Sequence, residues 1–267
     1  MIKLVVADMD GTLLNSNKEL SPKLFPIIER LHAKGIKFVV ASGRQYYNLL
    51  NIYDVMQDKM TFIAENGAIV FNQGKNVYYE EMAYEAVAEI LESISQIEGA
   101  YPVLCGLESA YIQENLGADF EEHVEMYYAR YERVTDLLAV TKKDRICKVS
   151  IYDAIDAENN TYPKLEKFVE KYKITVSGHE WVDLVNPTVN KGVAIKKLQE
   201  EFGITETETM AFGDYLNDYE MMESCYYSYA MANAHPDLKA VANFETLSND
   251  EDGVCVVLEE YLNKGIK

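Results

Sequence analysis

The sequence predicts an α/β fold, a doubly wound and mostly parallel sheet interrupted by an inserted α+β block. Three observations predict it. Short apolar runs at residues 2–7 and 36–41 and an apolar-ending run at 208–212 are each separated by helical stripes or turn signals. Each of these runs empties into a polar cluster containing glycine. Between residues 83 and 186 the texture changes and the block repeats no site chemistry of its own.

The first run, Ile-Lys-Leu-Val-Val-Ala, ends on Asp8, with Asp10, Gly11 and Thr12 just beyond. Its brevity and its terminating glycine mark a buried strand. Ligands of open parallel sheets bind beyond the carboxyl ends of the strands, where Asp8 and Asp10 fall. Two close carboxylates repel unless a cation or a shared proton relieves them, and Mg²⁺ is a hard cation that prefers oxygen. A plain polar turn bent by Gly11 accounts for the same residues. Next, Ser21 and Pro22 read as a helix start, Leu24, Ile27, Ile28 and Leu31 as its apolar stripe, and Gly35 as its end. The second strand runs into Ser42, Gly43 and Arg44. Ser42 can donate a hydroxyl hydrogen bond and Gly43 lets a backbone N–H approach an anion; an N-cap role for Ser42 is the alternative. A third strand at 61–64 ends on Glu65, Asn66 and Gly67, where Glu65 and Asn66 either face the site or shape a turn, the turn being the favoured reading. Residues 68–71 and 76–79 then form a hairpin around Gly74.

From Ala83 onward, Val87, Ile90, Leu91, Ile94 and Ile97 mark an amphipathic helix. Residues 101–105 and 110–113 read as strands joined by Gly106, Leu107, Glu108 and Ser109. Residues 117–144 are Tyr-rich and without a clear period. A strand at 146–152, a helix at 163–172 and a last strand at 181–185 complete the block. Residues 83–186 are thus an inserted domain within a core of 1–82 and 187–267, closing at Asn186 and Pro187.

Lys191 and Gly192 open the next helix, which Gly203 ends. A cation in the first turn opposes the helix dipole, which makes sense if Lys191 faces an anion; otherwise it is a surface lysine. The strand at 208–212 is followed by Gly213, Asp214, Asn217 and Asp218. The two acids lie one helical turn apart, and either can cap a helix instead. A strand at 227–231, a short helix started by His235 and Pro236, and a terminal helix at 252–262 follow. His235 stands beside no other ligand-like residue.

The chain of 267 residues is long enough for a sizeable core, and with 48% apolar and 26% charged residues it is globular in composition. Its 25 basic and 44 acidic residues give a net charge of −19, which argues against a nucleic acid or an anionic membrane as partner. The four cysteines, Cys105, Cys147, Cys225 and Cys255, form no metal-type pair and suit a cytoplasmic protein. Residues 2–7 are too short for a signal peptide, and no apolar stretch spans a bilayer.

Together the clusters supply a carboxylate nucleophile, a second carboxyl, a hydroxyl, a fixed cation and further metal ligands, the parts phosphoryl transfer needs. Asp-Met-Asp-Gly-Thr-Leu-Leu, Ala-Ser-Gly-Arg, Asn-Lys-Gly and Gly-Asp-Tyr-Leu-Asn-Asp resemble, in order, the four motifs of the haloacid dehalogenase superfamily. The place of the inserted block is similar to the Cof-type branch, with its Rossmann-like core and α/β cap between the second and third motifs. Ala-Glu-Asn-Gly-Ala and Cys-Gly-Leu-Glu-Ser-Ala-Tyr resemble a bacterial sugar phosphatase of that branch. The resemblance implies that Asp8 is nucleophile and Mg²⁺ ligand. Asp10 would be the general acid and base, its backbone carbonyl a metal ligand, and Asp214 the remaining protein ligand. Ser42, Lys191 and Asn217 would hold the phosphoryl oxygens with the N–H groups of Met9 and Gly43. Asp218 would support the metal shell or Lys191. Arg44 stands where the sugar phosphatase has Asn and would shift substrate preference. The cap would cover the substrate, with Gly106, Leu107, Glu108 and Ser109 as first candidates for sugar contacts. The expected substrate is a small phosphorylated metabolite, a sugar phosphate above all, for a monomer or small homo-oligomer. A phosphosugar mutase with the same aspartate pair, a receiver-like phospho-acceptor and a vestigial phosphosugar binder are the rival readings.

Overall fold

The computed structural model describes residues 1–177 and 179–264. In chain order the first part contains β1 (Leu4–Asp8), α1 (Leu24–Ala33), β2 (Lys37–Ala41), α2 (Tyr46–Ile52), β3 (Thr61–Ala64), β4 (Ile69–Asn72) and β5 (Lys75–Tyr79). The middle contains α3 (Tyr84–Ile94), β6 (Ala100–Gly106), β7 (Ala110–Gln113), α4 (Ala118–Tyr127), β8 (Tyr131–Val134), α5 (Leu137–Val140), β9 (Ile146–Asp153), α6 (Tyr162–Lys164), β10 (Lys173–Val176) and β11 (Trp181–Val185). The last part contains α7 (Lys191–Phe202), β12 (Thr209–Gly213), α8 (Tyr219–Glu223), β13 (Tyr227–Ala230), α9 (Pro236–Val241), β14 (Phe244–Glu245) and α10 (Gly253–Lys264).

The chain divides into two compact units. One comprises Met1–Gly43, Tyr53–Tyr78 and the chain from Asn190 onward; the other comprises Arg44–Ile52 and Tyr79–Val189. The first carries a sheet of order β14-β13-β12-β1-β2-β3-β4-β5. Pairings from β14 through β3 are parallel, and β4 runs antiparallel to β3. From β1 the chain adds β2 and β3 on one side, and later β12, β13 and β14 on the other. The order therefore reverses between β1 and β12, and such a switch point opens a crevice at the strands' carboxyl ends. All five residues of β1 are buried, which explains its unbroken apolar pattern. No helix among the described residues is long and apolar enough to cross a membrane.

The second unit carries a sheet of order β10-β11-β9-β6-β7-β8, antiparallel except between β7 and β8. It has its own apolar core, in which Val87, Ile90 and Ile94 of α3 meet Leu104, Val149, Ile151 and Val182. Helices and an antiparallel sheet around one core make this the α+β insertion of the predicted fold class.

Several local expectations need correction. Helix α1 is regular only from Leu24, and Ser21 sits at its entry, its Oγ accepting from Lys23 N at 3.4 Å and its carbonyl from Leu24 N at 3.0 Å. The buried stripe Leu24, Ile27, Ile28 and Leu31 sets its register, and Gly35 ends it with φ +74°. No continuous helix fills 163–172. A π-turn at Ala157–Thr161, α6 and a 3₁₀ turn at Glu166–Phe168 replace it. Asp153 explains the start of this irregular stretch, because its carboxylate draws in the N–H groups of Ile155 and Asp156, Asn160 Nδ2 and Thr161 Oγ1. The unperiodic stretch 117–144 holds α4, β8 and α5, and the short strands β10 and β14 carry too few residues to show a period.

Candidate active site

The site grows from two neighbouring strand ends. β1 and β12 pair in parallel with Ala7 opposite Phe212, so Asp8 and the residues after Gly213 emerge side by side. Gly11 adopts φ +82°, and a Cβ there would overlap Asp214 Oδ2, so both backbone and space demand glycine. Next to it, Thr12 Oγ1 donates to Asp214 Oδ1 at 2.9 Å, joining residues 202 positions apart.

Lys191 is the first residue of α7 and is fully buried. Asn190 caps that helix, its side chain accepting from Val193 N at 2.8 Å. The Lys191 ammonium donates to Asp8 Oδ1 and, at 2.6 Å, to Asp218 Oδ1. Two carboxylates thus offset the unfavourable end of the helix dipole. The other Asp218 oxygen accepts from Asp214 N at 3.0 Å and Tyr215 N at 3.4 Å. Asp218 therefore both shapes the turn after β12 and anchors the lysine. Gly192 lets α7 close on α8, since a Cβ there would overlap the Glu220 carbonyl oxygen.

Oxygens of Asp8, Asp214 and Asp218 lie within 4.8 Å of one another. Burial pushes the Asp8 carboxyl well above its ordinary range; the Asp218 charge adds to this and Lys191 opposes it. Burial, then Asp218, pushes Asp214 up to about 6, against the Thr12 hydrogen bond. For Lys191, burial works to lower the pKa, but Asp218 and Asp8 outweigh it and raise the ammonium's pKa. Three carboxylates around one ammonium are under-neutralised, and their hard oxygen donors fit a divalent cation such as Mg²⁺. The Asp10 carboxylate is not among these three. It takes an ion pair from Lys18 at 3.2 Å and remains partly exposed.

At the end of β2, Ser42 is buried and lies one residue beyond Ala41, the partner of Asp8. Its N–H donates to Ile63 O, and its carbonyl accepts from Asn66 N at 3.0 Å. Gly43 faces the Asn66 amide, and Asn217 Nδ2 donates to Asn66 Oδ1 at 3.1 Å. Asn66, for which sequence left open a turn or a site role, has φ +55° and sits between Gly43 and Asn217. Met9 is buried, its carbonyl accepting from Leu13 and Leu14 N–H. Arg44 groups with the inserted unit. His235 is the N-cap of α9, its Nδ1 accepting from Asp237 N at 3.2 Å, and its backbone N–H donates to Asp214 O at 2.8 Å.

Gly106 ends β6, and Leu107, Glu108 and Ser109 form the turn to β7. Its organiser is Asp144, which sequence reading missed. Asp144 Oδ2 accepts from Glu108 N and from Tyr111 OH, each at 2.9 Å. Gly106 N donates to Ser109 O at 2.8 Å, Leu107 N donates to Arg145 O, and buried Ser109 turns its hydroxyl to Ala110 O. Asp144 lies 36 residues from Glu108, too far along the chain for any local pattern to expose.

The haloacid dehalogenase-like hydrolase profile matches residues 5–258. The 5-amino-6-(5-phospho-D-ribitylamino)uracil phosphatase YbjI of Escherichia coli is 32% identical over 267 residues, covering 98% of this chain and 96% of that protein. YitU of Bacillus subtilis, which bears the same activity name, is 25% identical and covers 97% of both chains. The crystal structure of TM0651 from Thermotoga maritima superposes with a TM-score of 0.86 at 28% identity, over 97% of both chains.

Proposed function

The chain belongs to the haloacid dehalogenase-like hydrolases and is a phosphatase, and from that premise we propose that it hydrolyses phosphate esters of sugars or sugar alcohols, with Mg²⁺, through a phosphoryl group carried on Asp8. The observation that carries this reading is the Lys191 ammonium held between Asp8 and Asp218, with Asp214 alongside. The phosphorylated ribityl chain in the names of two relatives supports a polyhydroxylated leaving group.

An oxygen of Asp8 attacks phosphorus, and the bond from phosphorus to the ester oxygen breaks. Asp10 gives its proton to that oxygen, so the leaving group departs as a neutral alcohol. Asp10 then takes a proton from water as the water oxygen attacks the phosphorus of the acyl phosphate. The bond to Asp8 breaks, and inorganic phosphate and the carboxylate are restored. Lys191 keeps Asp8 oriented and faces the phosphoryl oxygens, while Asp218 holds Lys191. The Ser42 hydroxyl, Asn217 and the N–H groups of Met9 and Gly43 complete the phosphate cradle, with Arg44 in a supporting role. Mg²⁺ held by Asp8, Asp214 and the Asp10 carbonyl would neutralise phosphoryl charge and keep the nucleophile ionised. The turn of residues 106–109 selects the leaving group.

The test is phosphate release from a panel of hexose, pentose and ribityl phosphates, nucleotides and an aryl phosphate, with and without Mg²⁺. The expected result is metal-dependent release favouring polyol esters and lost in Asp8→Asn. Full activity of Asp8→Asn would overturn the nucleophile. A preference for nucleotides would overturn the substrate class.

A further inference from the structure

After β3 the chain turns through Glu65, Asn66 and Gly67 with φ of +50°, +55° and +106°. Two of these three residues are not glycine, and a left-handed backbone at such residues persists only where the surroundings over-determine it. The surroundings here all belong to the first unit. Asn66 N donates to Ser42 O at 3.0 Å, and the Asn66 amide lies so close to Gly43 that a Cβ there would come within 3.0 Å of it. Asn66 Oδ1 accepts from Asn217 Nδ2 at 3.1 Å. Next along the chain, a Cβ on Gly67 would overlap the Asn190 carbonyl oxygen and sit 3.0 Å from Lys191 N. One short turn thus meets the end of β2, the first residue of α7 and the segment between β12 and α8. Asn217 itself is exposed, so its side chain on its own would spread over several rotamers.

We propose that Asn66 is a positioning residue of the phosphate cradle: its carboxamide holds the Asn217 amide in the orientation that meets a phosphoryl group beside Gly43. The left-handed backbone aims that carboxamide, because it redirects the Cα–Cβ bond from the direction an extended residue would give it. Asparagine adopts this backbone more readily than most residues with a side chain, and it carries the oxygen that Asn217 needs. The backbone N–H of the same residue fixes the Ser42 carbonyl, so the end of β2 and Asn217 are referred to one point. Asn66 acts through Asn217 and needs no contact of its own with the substrate. The inference rests on the phosphatase reading, which assigns Asn217 and the Gly43 N–H to the phosphoryl oxygens.

Two substitutions in the full chain separate the side chain from the backbone. Asn66→Gly and Asn66→Ala both remove the acceptor of Asn217, whereas only alanine opposes the left-handed φ. Inhibition by inorganic phosphate, steady-state kinetics on a sugar phosphate and thermal melting are measured for each in Mg²⁺ buffer. The KI of phosphate should rise about fivefold in both variants, and kcat/KM should fall by a similar factor, chiefly through KM. The Tm should drop further in Asn66→Ala than in Asn66→Gly. A turn residue with a merely structural part would instead give phosphate inhibition that follows the Tm, weakened in Asn66→Ala and near wild type in Asn66→Gly. Asn217→Ala should weaken phosphate inhibition by itself, and adding Asn66→Gly to it should change little more, because the two act as one unit. Wild-type inhibition in Asn66→Gly beside an impaired Asn217→Ala would overturn the positioning role and leave the cradle standing. Wild-type inhibition in Asn217→Ala would overturn that part of the cradle, and the inference with it. Effects of the two substitutions that multiply in full would overturn action through Asn217.

Discussion

The Lys191 ammonium is buried against Asp8 and Asp218, so Lys191→Met leaves two buried carboxylates without their cation. Breaking such a group costs about 3–5 kcal/mol. Thermal unfolding in chelator should show this loss, and added Mg²⁺ should recover part of it. Asp214 makes a prediction of opposite character. Its carboxyl is pushed up to about 6, so between about pH 4 and pH 6 the folded, metal-free protein holds a proton that the unfolded chain has released. The stability this contributes is present below the ordinary carboxylate range and is lost as pH rises through about 6. Relative to Asp214→Asn, the wild type in chelator should therefore lose on the order of 1–3 kcal/mol across that window. With Mg²⁺ bound the loss should vanish, because the cation favours the ionised carboxyl. An unchanged difference between the two proteins from pH 4 to pH 6.5 would contradict the assignment.

Among the elements, helix packing sets the geometry of the charged groups. α7 carries Lys191, and the turn before α8 carries Asp218; the two helices meet at Gly192. Gly192→Ala should force them apart, costing about 1–3 kcal/mol and lowering turnover together with stability. A melting curve and kcat measured on one preparation check this, and a Tm within error of wild type would refute the close packing. In the second unit Asp144 plays the corresponding part. Asp144→Ala removes the acceptor of Glu108 N–H and Tyr111 OH, so the turn 106–109 should loosen. Hydrogen exchange at 107–110 should quicken, and the ranking of substrates should flatten while Mg²⁺ affinity, read by calorimetry, stays as in wild type.

Across the molecule, the two units have different stabilising groups. The inserted unit has an apolar core of its own, whereas the three clustered carboxylates belong to the other unit. Unfolding is then expected to depart from two-state behaviour, with Mg²⁺ raising one calorimetric transition by mass action and leaving the other in place. A single transition that moves as a whole with Mg²⁺ would contradict this. The net charge of −19 would be no obstacle to an anionic ligand, since Lys191 and the proposed divalent cation would act within a few ångströms while surface charge is screened by salt.

Local order was legible in the sequence because its causes are local. Short apolar runs and a 3.6-residue period marked β1, β2, β3, β12 and the stripe of α1. Gly35 and Gly203 marked helix ends through their left-handed backbone. Acids, a hydroxyl and glycine just past strand ends marked Asp8, Asp214 and Ser42 as site candidates, since an open parallel sheet presents its ligands there. Where the backbone follows side-chain hydrogen bonds instead of hydrophobic period, as around Asp153, pattern reading produced a continuous helix where the chain forms only α6 and short turns. The partnerships needed the folded chain. Asp218 finds Lys191 across 27 positions, Thr12 finds Asp214 across 202, and Gln45 finds Arg130 across 85. No periodicity encodes such pairs, because each depends on which strand lies next to which and on how closely two backbones approach. Residue order alone specified the main strands of the first sheet and the side chains offered at their ends; packing chose which of those side chains meet.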